Sequence, residues 1–460
     1  MSDNAPQDPN ERIIEAIKRS PHDRIKVAVT DIDGILRGKY MLKEKFLSAV
    51  DKGFGFCDVV FGWDCADVCY DNVKVTGWHS GYPDAQARID LSTHRTVPWD
   101  DGVPFLLADF EGADGTPSPV CPRQLLKRII GRATSLGCDA QLGLEFEWFN
   151  FRETPQSLVE KGHAAERLEP LTPGMFGYSV LRSSLEQPYF RDLMEQLGAF
   201  GVPLEGLHTE TGPGVYEAAI RYSSALEAAD RAALFKTAVK EIAYRHGVIA
   251  TFMARWNTDL PGCSGHIHQS LCDPASGANL FSDPDAPHGM SPMFRHYLAG
   301  QMRALPELLP MLAPTINSYK RLVEGYWAPT RMTWGIDNRT TALRVILGGA
   351  STRVETRIGG ADLNPYLAVS AALAAGLYGI QERLELDAEP ITGNGYEVTD
   401  ATRLPQSLEQ ATERMANSDL ARALLGDDFV DHFTASRDWE CRQYRQAVTD
   451  WELKRYLEII

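Results

Sequence analysis

The chain has 460 residues, of which 44% are hydrophobic and 23% charged, so it is a folded globular protein too large for one small core. Its formal net charge of −16 argues against a surface that binds nucleic acid or an anionic membrane. The start of the chain lacks the parts of a signal peptide, no apolar run is long enough to span a membrane, and the cysteines are scattered, so we predict a cytoplasmic protein.

The N-terminal part of the chain is predicted to be rich in strands. After a tail over residues 1–10, a short helix over 11–19 precedes two strands over 25–29 and 35–41, which an Asp-Gly turn joins. Short strands and turns are expected to continue to about Asp109.

Two domains are expected, because the segment 111–119 is dense in Gly and Pro and is therefore the best linker candidate. The predicted parts are an N-terminal tail with a short helix, a strand-rich domain and a large mixed domain: 1–19, 20–112 and 113–460. A basic amphipathic helix should open the mixed domain over residues 122–133. Five further helices are predicted over 188–197, 224–244, 293–312, 364–384 and 408–415. The fold class is α+β.

Glu145 and Glu147 lie in the aromatic segment 143–149, which is typical of a strand. Alternate side chains of a strand project to one face, so the two carboxylates would lie together. Adjacent carboxylates repel each other and lose hydration, which is costly unless a cation lies beside them. A solvated strand face is the alternative interpretation.

Four further segments carry chemically related residues. Glu210 and Glu217 lie around a Gly-Pro-Gly turn, and His266 and His268 lie two residues apart. An alternating run contains Arg353, Glu355 and Arg357, and a further segment contains Arg339 and Arg344. Each segment alone is also compatible with an ordinary turn or a solvated strand face.

Together these residues indicate phosphoryl transfer. The glutamates and a histidine suit two divalent cations with mostly oxygen ligands, Mg²⁺ or Mn²⁺. The arginines would clamp phosphate and carboxylate oxygens. Such sites stabilise the spread anionic charge of a transferred phosphoryl group, and no P-loop motif is present.

In their order, the motifs resemble those of the glutamine synthetase superfamily, type I branch, over nearly the whole chain. The segments 317–329, 337–344 and 353–357, the last followed by 364–367, resemble the family's substrate, nucleotide and metal-and-substrate segments. The resemblance implies an N-terminal β-grasp domain and a catalytic domain of the glutamine synthetase/guanido kinase type, in which helices flank an antiparallel sheet. It also implies a homo-oligomer, commonly a dodecamer of two hexameric rings, with active sites between neighbouring subunits.

The resemblance further implies roles for individual residues. One metal would be held by Glu147, Glu210 and Glu217, and the other by Glu145, His266 and Glu355. The positions that match nucleotide-binding residues are His268, Ser270, Arg339, Arg344 and Arg353. The positions that match glutamate-binding residues are Gly262, Arg321 and Arg357. The predicted catalytic residues are Arg339, which would assist γ-phosphate transfer, Glu217 and Asp64.

The sequence departs from the family where the nitrogen nucleophile binds. In glutamine synthetases a Gly-Tyr-x-Ala-Pro segment carries at x a glutamate that binds ammonium and takes its proton, whereas this chain has Trp327. An indole cannot act as that base, but it offers an apolar or cation–π wall to an amine. Asp64, Trp63 and Tyr178 are predicted to complete the amine pocket. Pro261 replaces a usual asparagine beside the glutamate site.

These features predict an ATP-dependent carbon–nitrogen ligase. The γ-carboxylate of L-glutamate would take the γ-phosphate of ATP, and a primary amine, whether alkyl, hydroxyalkyl, aryl or polyamine, would displace phosphate to leave an amide. A true glutamine synthetase that uses ammonia is the main alternative. A non-catalytic structural family member and a phosphagen-type kinase on the same broad fold rank lower.

Overall fold

The structure is a computed structural model that describes residues 8–112 and 114–460. Residues 1–7 of the predicted N-terminal tail lie outside the described residues. Residue 113 of the predicted linker also lies outside them. Helices and two sheets make up the described chain, which confirms the predicted α+β class.

The N-terminal sheet contains five strands within the described residues: β1 (Arg24–Thr30), β2 (Leu36–Leu42), β3 (Phe54–Cys57), β4 (Asp84–Val97) and β5 (Val103–Glu111). Their spatial order is β2-β1-β5-β4-β3, and β1 pairs with β5 in parallel while the other neighbours are antiparallel. Helix α1 (Pro9–Arg19) and helix α2 (Lys43–Lys52) accompany this sheet. The β1–β2 hairpin lies where the Asp-Gly turn predicted it.

The expectation of short strands and turns as far as residue 109 is wrong in two places. Residues 43–52 form α2, because Phe46 and Ala49 lie one turn apart on the face that is buried. Strand β4 is a single 14-residue strand that pairs with β3 at its start and with β5 on both sides of a register shift between Asp90 and Arg95.

The second sheet contains nine strands within the described residues: β6 (Asp139–Phe151), β7 (Leu204–Thr209), β8 (Val215–Ile220), β9 (Ser223–Ser224), β10 (Ile249–Thr251), β11 (Gly265–Cys272), β12 (Trp334–Ile336), β13 (Leu343–Ile346) and β14 (Arg353–Thr356). The main order is β12-β13-β14-β11-β6-β8-β7, and β9 and β10 also pair with β6. Neighbours are antiparallel except β12 and β13.

The α-helices described after the N-terminal sheet are α3 (Pro122–Ser135), α4 (Pro155–Glu160), α5 (Val180–Leu185), α6 (Gln187–Ala199), α7 (Ala225–Arg245), α8 (Pro292–Ala304), α9 (Ser318–Arg321), α10 (Pro365–Gln381), α11 (Leu408–Ala416), α12 (Asp419–Leu425), α13 (Asp427–Gln446) and α14 (Asp450–Tyr456). Helices α3 and α7 pack against β6 of the second sheet, and further helices pack around them. Helix α10 is apolar on all sides because α3, α7 and α8 pack around it. The predicted antiparallel sheet flanked by helices is therefore confirmed.

The predicted helices are present, with one boundary error and several omissions. The helix expected over 293–312 ends at Ala304, and a short 3-10 turn over Leu309–Met311 follows. The sequence reading missed the 20-residue helix α13, because polar His432, Ser436 and Arg437 share its buried positions and weaken the apolar periodicity.

The N-terminal sheet contacts the C-terminal helices through polar groups. Arg437 on α13 donates to Asp33 at 2.6 Å, and the indole of Trp439 donates to Asp64 at 3.0 Å. The side chain of Asn364 donates to the carbonyl oxygen of Ile32 at 3.1 Å. The domain boundary between residues 112 and 113 stays a prediction. Among the described helices, none is long and apolar enough to cross a membrane.

Candidate active site

Strand β6 presents its acidic residues on the face of the sheet opposite the helices. Leu142, Leu144, Phe146 and Trp148 are buried, and the ring of Phe146 stacks on Phe235 of α7. The alternation of a strand therefore sends Glu145 and Glu147 to the other face together. The predicted strand and its two-residue carboxylate spacing are present.

The register of the sheet aligns the candidate residues in rows across neighbouring strands. On one side of β6, His266 lies opposite Glu145, and His268 on the same strand lies opposite Glu355. Glu355 in turn lies opposite Arg344 on β13. On the other side, Glu147 faces Glu217 on β8, and Glu217 faces His208 on β7. Paired residues of antiparallel strands project to the same face, so these rows form one surface.

The first group contains two carboxylates and two imidazoles. His266 Nδ1 lies 3.2 Å from Glu145 Oε1 and 3.3 Å from Glu355 Oε1, and His268 Nε2 lies 3.5 Å from Glu145 Oε2. Donor atoms of Glu145, His268 and Glu355 all lie within 4.8 Å of one another. His266 Nε2 is buried and has no hydrogen-bond partner among the described residues.

The second group lies on the hairpin formed by β7 and β8. The Gly-Pro-Gly turn brings Glu210 back to Glu217, as the sequence predicts, because the amide of Glu210 donates to the carbonyl oxygen of Val215 at 2.9 Å. Donor atoms of His208, Glu210 and Glu217 lie within 4.8 Å of one another. Glu147 is the neighbouring carboxylate, and its Oε2 accepts a hydrogen bond from the amide of Ser264 at 2.7 Å.

The electrostatics of the two groups suit bound cations. Burial, together with the charges of Glu145 and Glu147, raises the pKa of Glu217 to about 12. Burial raises the pKa of Glu147 to about 7 and lowers that of His266 to about 4. Burial opposes ionisation of Glu145, but hydrogen bonding with His266 and His268 holds the pKa of Glu145 well below its ordinary value. The repulsion among these carboxylates is what a divalent cation would relieve.

The donor set of the site therefore fits divalent metal ions. Oxygen ligands predominate, burial lowers the pKa of His266 and so favours its neutral form, and its Nδ1 lies 3.2 Å from Glu145 Oε1 and 3.3 Å from Glu355 Oε1. Mg²⁺ and Mn²⁺ both match such oxygen-rich sites.

The arginines surround the first group. Arg344 donates to Glu355 at 2.9 Å and to Asp337 at 3.0 Å, and Arg353 donates to His268 Nδ1 at 3.2 Å. Ser270 continues the face of His266 and His268 along β11. Arg339 is exposed. The predicted nucleotide-binding residues His268, Ser270, Arg344 and Arg353 thus lie on or beside one face of the sheet.

The predicted glutamate-binding residues lie close together behind Glu147. A methyl group at Gly262 would lie 2.3 Å from the carbonyl oxygen of Ala254 and 2.9 Å from Arg321 Cγ, so this close approach requires glycine. Arg321 is 2% exposed and donates to Ser264 Oγ at 2.8 Å and to the carbonyl oxygen of Ile358 at 3.0 Å. Arg357 also contacts Glu355.

The predicted amine-pocket residues each have contacts of their own in the structure. The ring of Tyr178 stacks on His208 with centroids 4.3 Å apart, beside Glu210 and Glu217. Asp64 instead accepts from Trp439, and the ring of Trp63 lies under the guanidinium of Arg37 at 5.0 Å. The grouping of Asp64 and Trp63 with the other pocket residues stays a prediction that requires a neighbouring subunit.

Trp327 lies in a loop over residues 324–330. Its side chain is 53% exposed and its φ of 60° is left-handed. Thr330 donates to Glu324 at 3.1 Å, which closes the base of the loop. The ring of Tyr326 lies 4.7 Å from the guanidinium of Arg255.

Three residues that contact this site escaped the sequence reading. His208 alternates with Glu210 on β7, and that His-x-Glu spacing is a signal that could have found it. Ser264 contacts both Glu147 and Arg321. Arg255 offers no local signal, because its partners are backbone carbonyls.

Residues 119–456 match the model of one protein family, described as glutamine synthetase, catalytic domain. The chain is 55% identical over 451 residues to the type-1 glutamine synthetase 2 of Dictyostelium discoideum, with 97% of this chain and 86% of that protein covered. It is 38% identical over 453 residues to a glutamate–isopropylamine ligase of a Pseudomonas species, with 98% of each chain covered. The solved structure of a GmaS/ADP complex has a TM-score of 0.84 and 27% identity, and covers 97% of this chain and 99% of its own.

Proposed function

The chain belongs to the glutamine synthetase family, and we propose that it joins the γ-carboxylate of L-glutamate to a primary amine. It is an ATP-dependent ligase. The product in this proposal is a γ-glutamylamide rather than glutamine.

One observation carries the choice of an amine over ammonia. At the position where the family's glutamine makers have a glutamate, this chain presents the exposed indole of Trp327 in the 324–330 loop. An indole neither accepts a proton nor balances the charge of ammonium, whereas its face packs well against a carbon substituent. A relative that is 38% identical carries the name glutamate–isopropylamine ligase, which supports a compact and partly apolar amine.

The first step is phosphoryl transfer. An oxygen of the glutamate γ-carboxylate attacks the γ-phosphorus of ATP, the bond to the bridging oxygen breaks, and ADP leaves with that electron pair. We assign Arg339, Arg344 and Arg353 to the phosphate oxygens, and Arg321 and Arg357 to the carboxylates of glutamate. Divalent ions held by Glu145, Glu147, Glu210, Glu217, His266 and Glu355 would supply Lewis-acid neutralisation of the phosphate charge.

The second step is amide formation. The amine nitrogen attacks the acyl carbon of γ-glutamyl phosphate, and phosphate leaves with the electrons of the carbon–oxygen bond. Tyr178 and Trp327 would border the amine, and the proton that the nitrogen loses would go to Asp64 of a neighbouring subunit. In its own chain Asp64 accepts a hydrogen bond from Trp439 of α13 at 3.0 Å, and Tyr178 stacks on His208 of β7.

Glutamine synthesis is the second candidate. A protein that is 55% identical to this chain carries the name type-1 glutamine synthetase 2, and this is the observation that favours it. In that case Trp327 is a packing residue and ammonia takes the place of the amine beside Tyr178.

A homo-oligomer, in the family's dodecameric form, belongs to the same proposal. It is supported by an apolar surface over residues 448–460, where Val448, Leu457, Ile459 and Ile460 are all more than two thirds exposed. We also propose a cytoplasmic location, in line with eight free cysteines in the described chain.

The test is phosphate release from ATP with glutamate and Mg²⁺ across a panel of nitrogen nucleophiles. The panel contains ammonium, methylamine, ethanolamine, isopropylamine, aniline, putrescine and spermidine, and mass spectrometry identifies each amide. We expect one organic amine to exceed ammonium by at least about tenfold in kcat/KM, since the lost carboxylate base is worth roughly 10²–10⁴-fold for ammonia. Highest kcat/KM with ammonium would refute the amine proposal in favour of glutamine synthesis.

A further inference from the structure

His208 lies beside the two glutamates of the β7–β8 hairpin. Its Nε2 atom is 3.8 Å from Glu217 Oε2, and its Nδ1 atom is 3.9 Å from Glu210 Oε2. Both separations are longer than a hydrogen bond. The Nε2–Glu217 separation of 3.8 Å matches that of two ligands that share one ion, which is about 3–4 Å when each ligand lies about 2.1 Å from the metal.

The imidazole of His208 is oriented as metal-binding histidines are. Its Nδ1 lies 3.1 Å from the carbonyl oxygen of Thr209, and a carbonyl oxygen only accepts, so Nδ1 carries the proton. The lone pair therefore belongs to Nε2, on the side of Glu217. A histidine ligand of a metal typically donates its other ring N–H to a backbone carbonyl or carboxylate in this way.

Glu147 is the less available of the candidate ligands for this position. Its Oε2 already accepts from the amide of Ser264 at 2.7 Å. The residues whose donor atoms lie within 4.8 Å of one another here are His208, Glu210 and Glu217. The family resemblance implied Glu147 in the place of His208.

We propose that His208 is a ligand of the metal ion on the glutamate side of the site, together with Glu210 and Glu217. This inference rests on the two-metal site of the proposed function. A nitrogen ligand at this ion raises its preference for Mn²⁺ over Mg²⁺, since Mg²⁺ favours an all-oxygen shell.

The same residue joins the metal site to the amine pocket. The ring of Tyr178 stacks on His208 at 4.3 Å with an angle of 28° between the planes. A metal-bound imidazole cannot rotate freely, so it would hold the Tyr178 ring in place. A purely structural role for His208 would keep this stacking and need no ring nitrogen.

The test separates these two roles by pulsed electron paramagnetic resonance of Mn²⁺ bound to the metal-free protein. In the wild type we expect nitrogen couplings from two imidazoles, one from His208 and one from the first metal group. His208→Phe keeps a ring under Tyr178 and should lose one coupling, together with about tenfold or more of the Mn²⁺ affinity at one site. The loss in Mg²⁺ affinity should be smaller.

The control variant is His246→Gln. It removes a histidine whose contact is with Asp192 and not with Glu210 or Glu217. It should retain both couplings and both affinities. Wild-type couplings and affinity in His208→Phe would overturn the assignment of His208 and leave the two-metal proposal intact. Failure of the wild type to bind Mn²⁺ at all would overturn both.

Discussion

In the proposed function, Trp327 is the side chain that changes the nucleophile from ammonia to an amine. Its φ of 60° is a left-handed conformation that costs a non-glycine residue roughly 1–2 kcal/mol, and the ring is nevertheless half exposed. A packing role would bury the indole, whereas an exposed indole at a strained position is typical of a ligand contact.

Restoring a carboxylate at this position is the sharpest test of the residue's role. We expect Trp327→Glu to raise kcat/KM for ammonium by about tenfold or more and to lower it for the preferred organic amine, because the carboxylate attracts ammonium and takes its proton. Steady-state kinetics with ammonium and with the organic amine measure the two changes in kcat/KM. Trp327→Phe is the control, since it keeps an apolar ring and should keep the amine preference. An unchanged ratio of ammonium to amine in Trp327→Glu would contradict the role.

At the scale of the strands, the pairing within the second sheet arranges the acidic residues. Glu355 and Glu145 reach the same site because β14 and β6 both pair with β11. Behind β11, Gln269 donates to Thr356 at 2.8 Å and accepts from Tyr297 at 2.6 Å. This buried network ties β11 to β14 and to α8, so it supports the register that places the candidate metal ligands.

The loop that carries Trp327 is anchored by Arg255. The guanidinium is 8% exposed and lies 4.7 Å from the ring of Tyr326. It donates to the carbonyl oxygens of Asn257, Thr258, Leu260 and Lys320. One planar group with five donors thus joins the segment before Gly262 to the 324–330 loop.

We expect Arg255→Lys to loosen both segments, because one ammonium group cannot reach carbonyls that the guanidinium spans. The KM for the amine should rise about tenfold, and the free energy of unfolding should fall by about 2–4 kcal/mol as buried carbonyls lose donors. Initial-rate kinetics and urea unfolding measure the two effects. Arg303→Lys is the control, because Arg303 is half exposed and forms an ion pair with Glu307. A wild-type KM for the amine in Arg255→Lys would show that the loop does not depend on this anchor.

At the scale of the whole molecule, the exposed apolar residues of segment 448–460 support the proposed assembly. Leu457, Ile459 and Ile460 are exposed to 79%, 85% and 94%. Helix α14 begins with a capping box at Thr449, and these three residues follow its last residue, Tyr456. Contact with another subunit is the simplest way to remove this surface from water.

We therefore expect the triple substitution of Leu457, Ile459 and Ile460 by serine to reduce the size of the assembly, because each apolar side chain contributes roughly 1.5–3 kcal/mol when buried. Size-exclusion chromatography with light scattering measures the change. Serine substitutions at exposed Lys454 and Glu458 on the same segment provide the control and should leave the assembly intact. Retention of the wild-type mass by the triple variant would exclude this surface as an interface.

Much of the site follows from local sequence. Strand alternation alone places Glu145 and Glu147 on one face, and it does the same for His266 and His268. A hairpin at the Gly-Pro-Gly turn alone brings Glu210 back to Glu217. The prediction of α7 and α10 likewise needed only the pattern of apolar residues within each helix. Each of these inferences depends on neighbours within a few residues, whose geometry the backbone fixes.

The tertiary structure decided the rest, because hydrogen bonds between distant strands set which local patterns meet. Pairing of β7 with β8 placed His208 opposite Glu217, and the packing of α13 against the N-terminal sheet held Asp64 on Trp439. Helix α13 itself is specified by burial against other elements rather than by its own apolar repeat. The sequence by itself therefore determined the chemical identity of the site, and long-range strand pairing and packing determined which side chains share it.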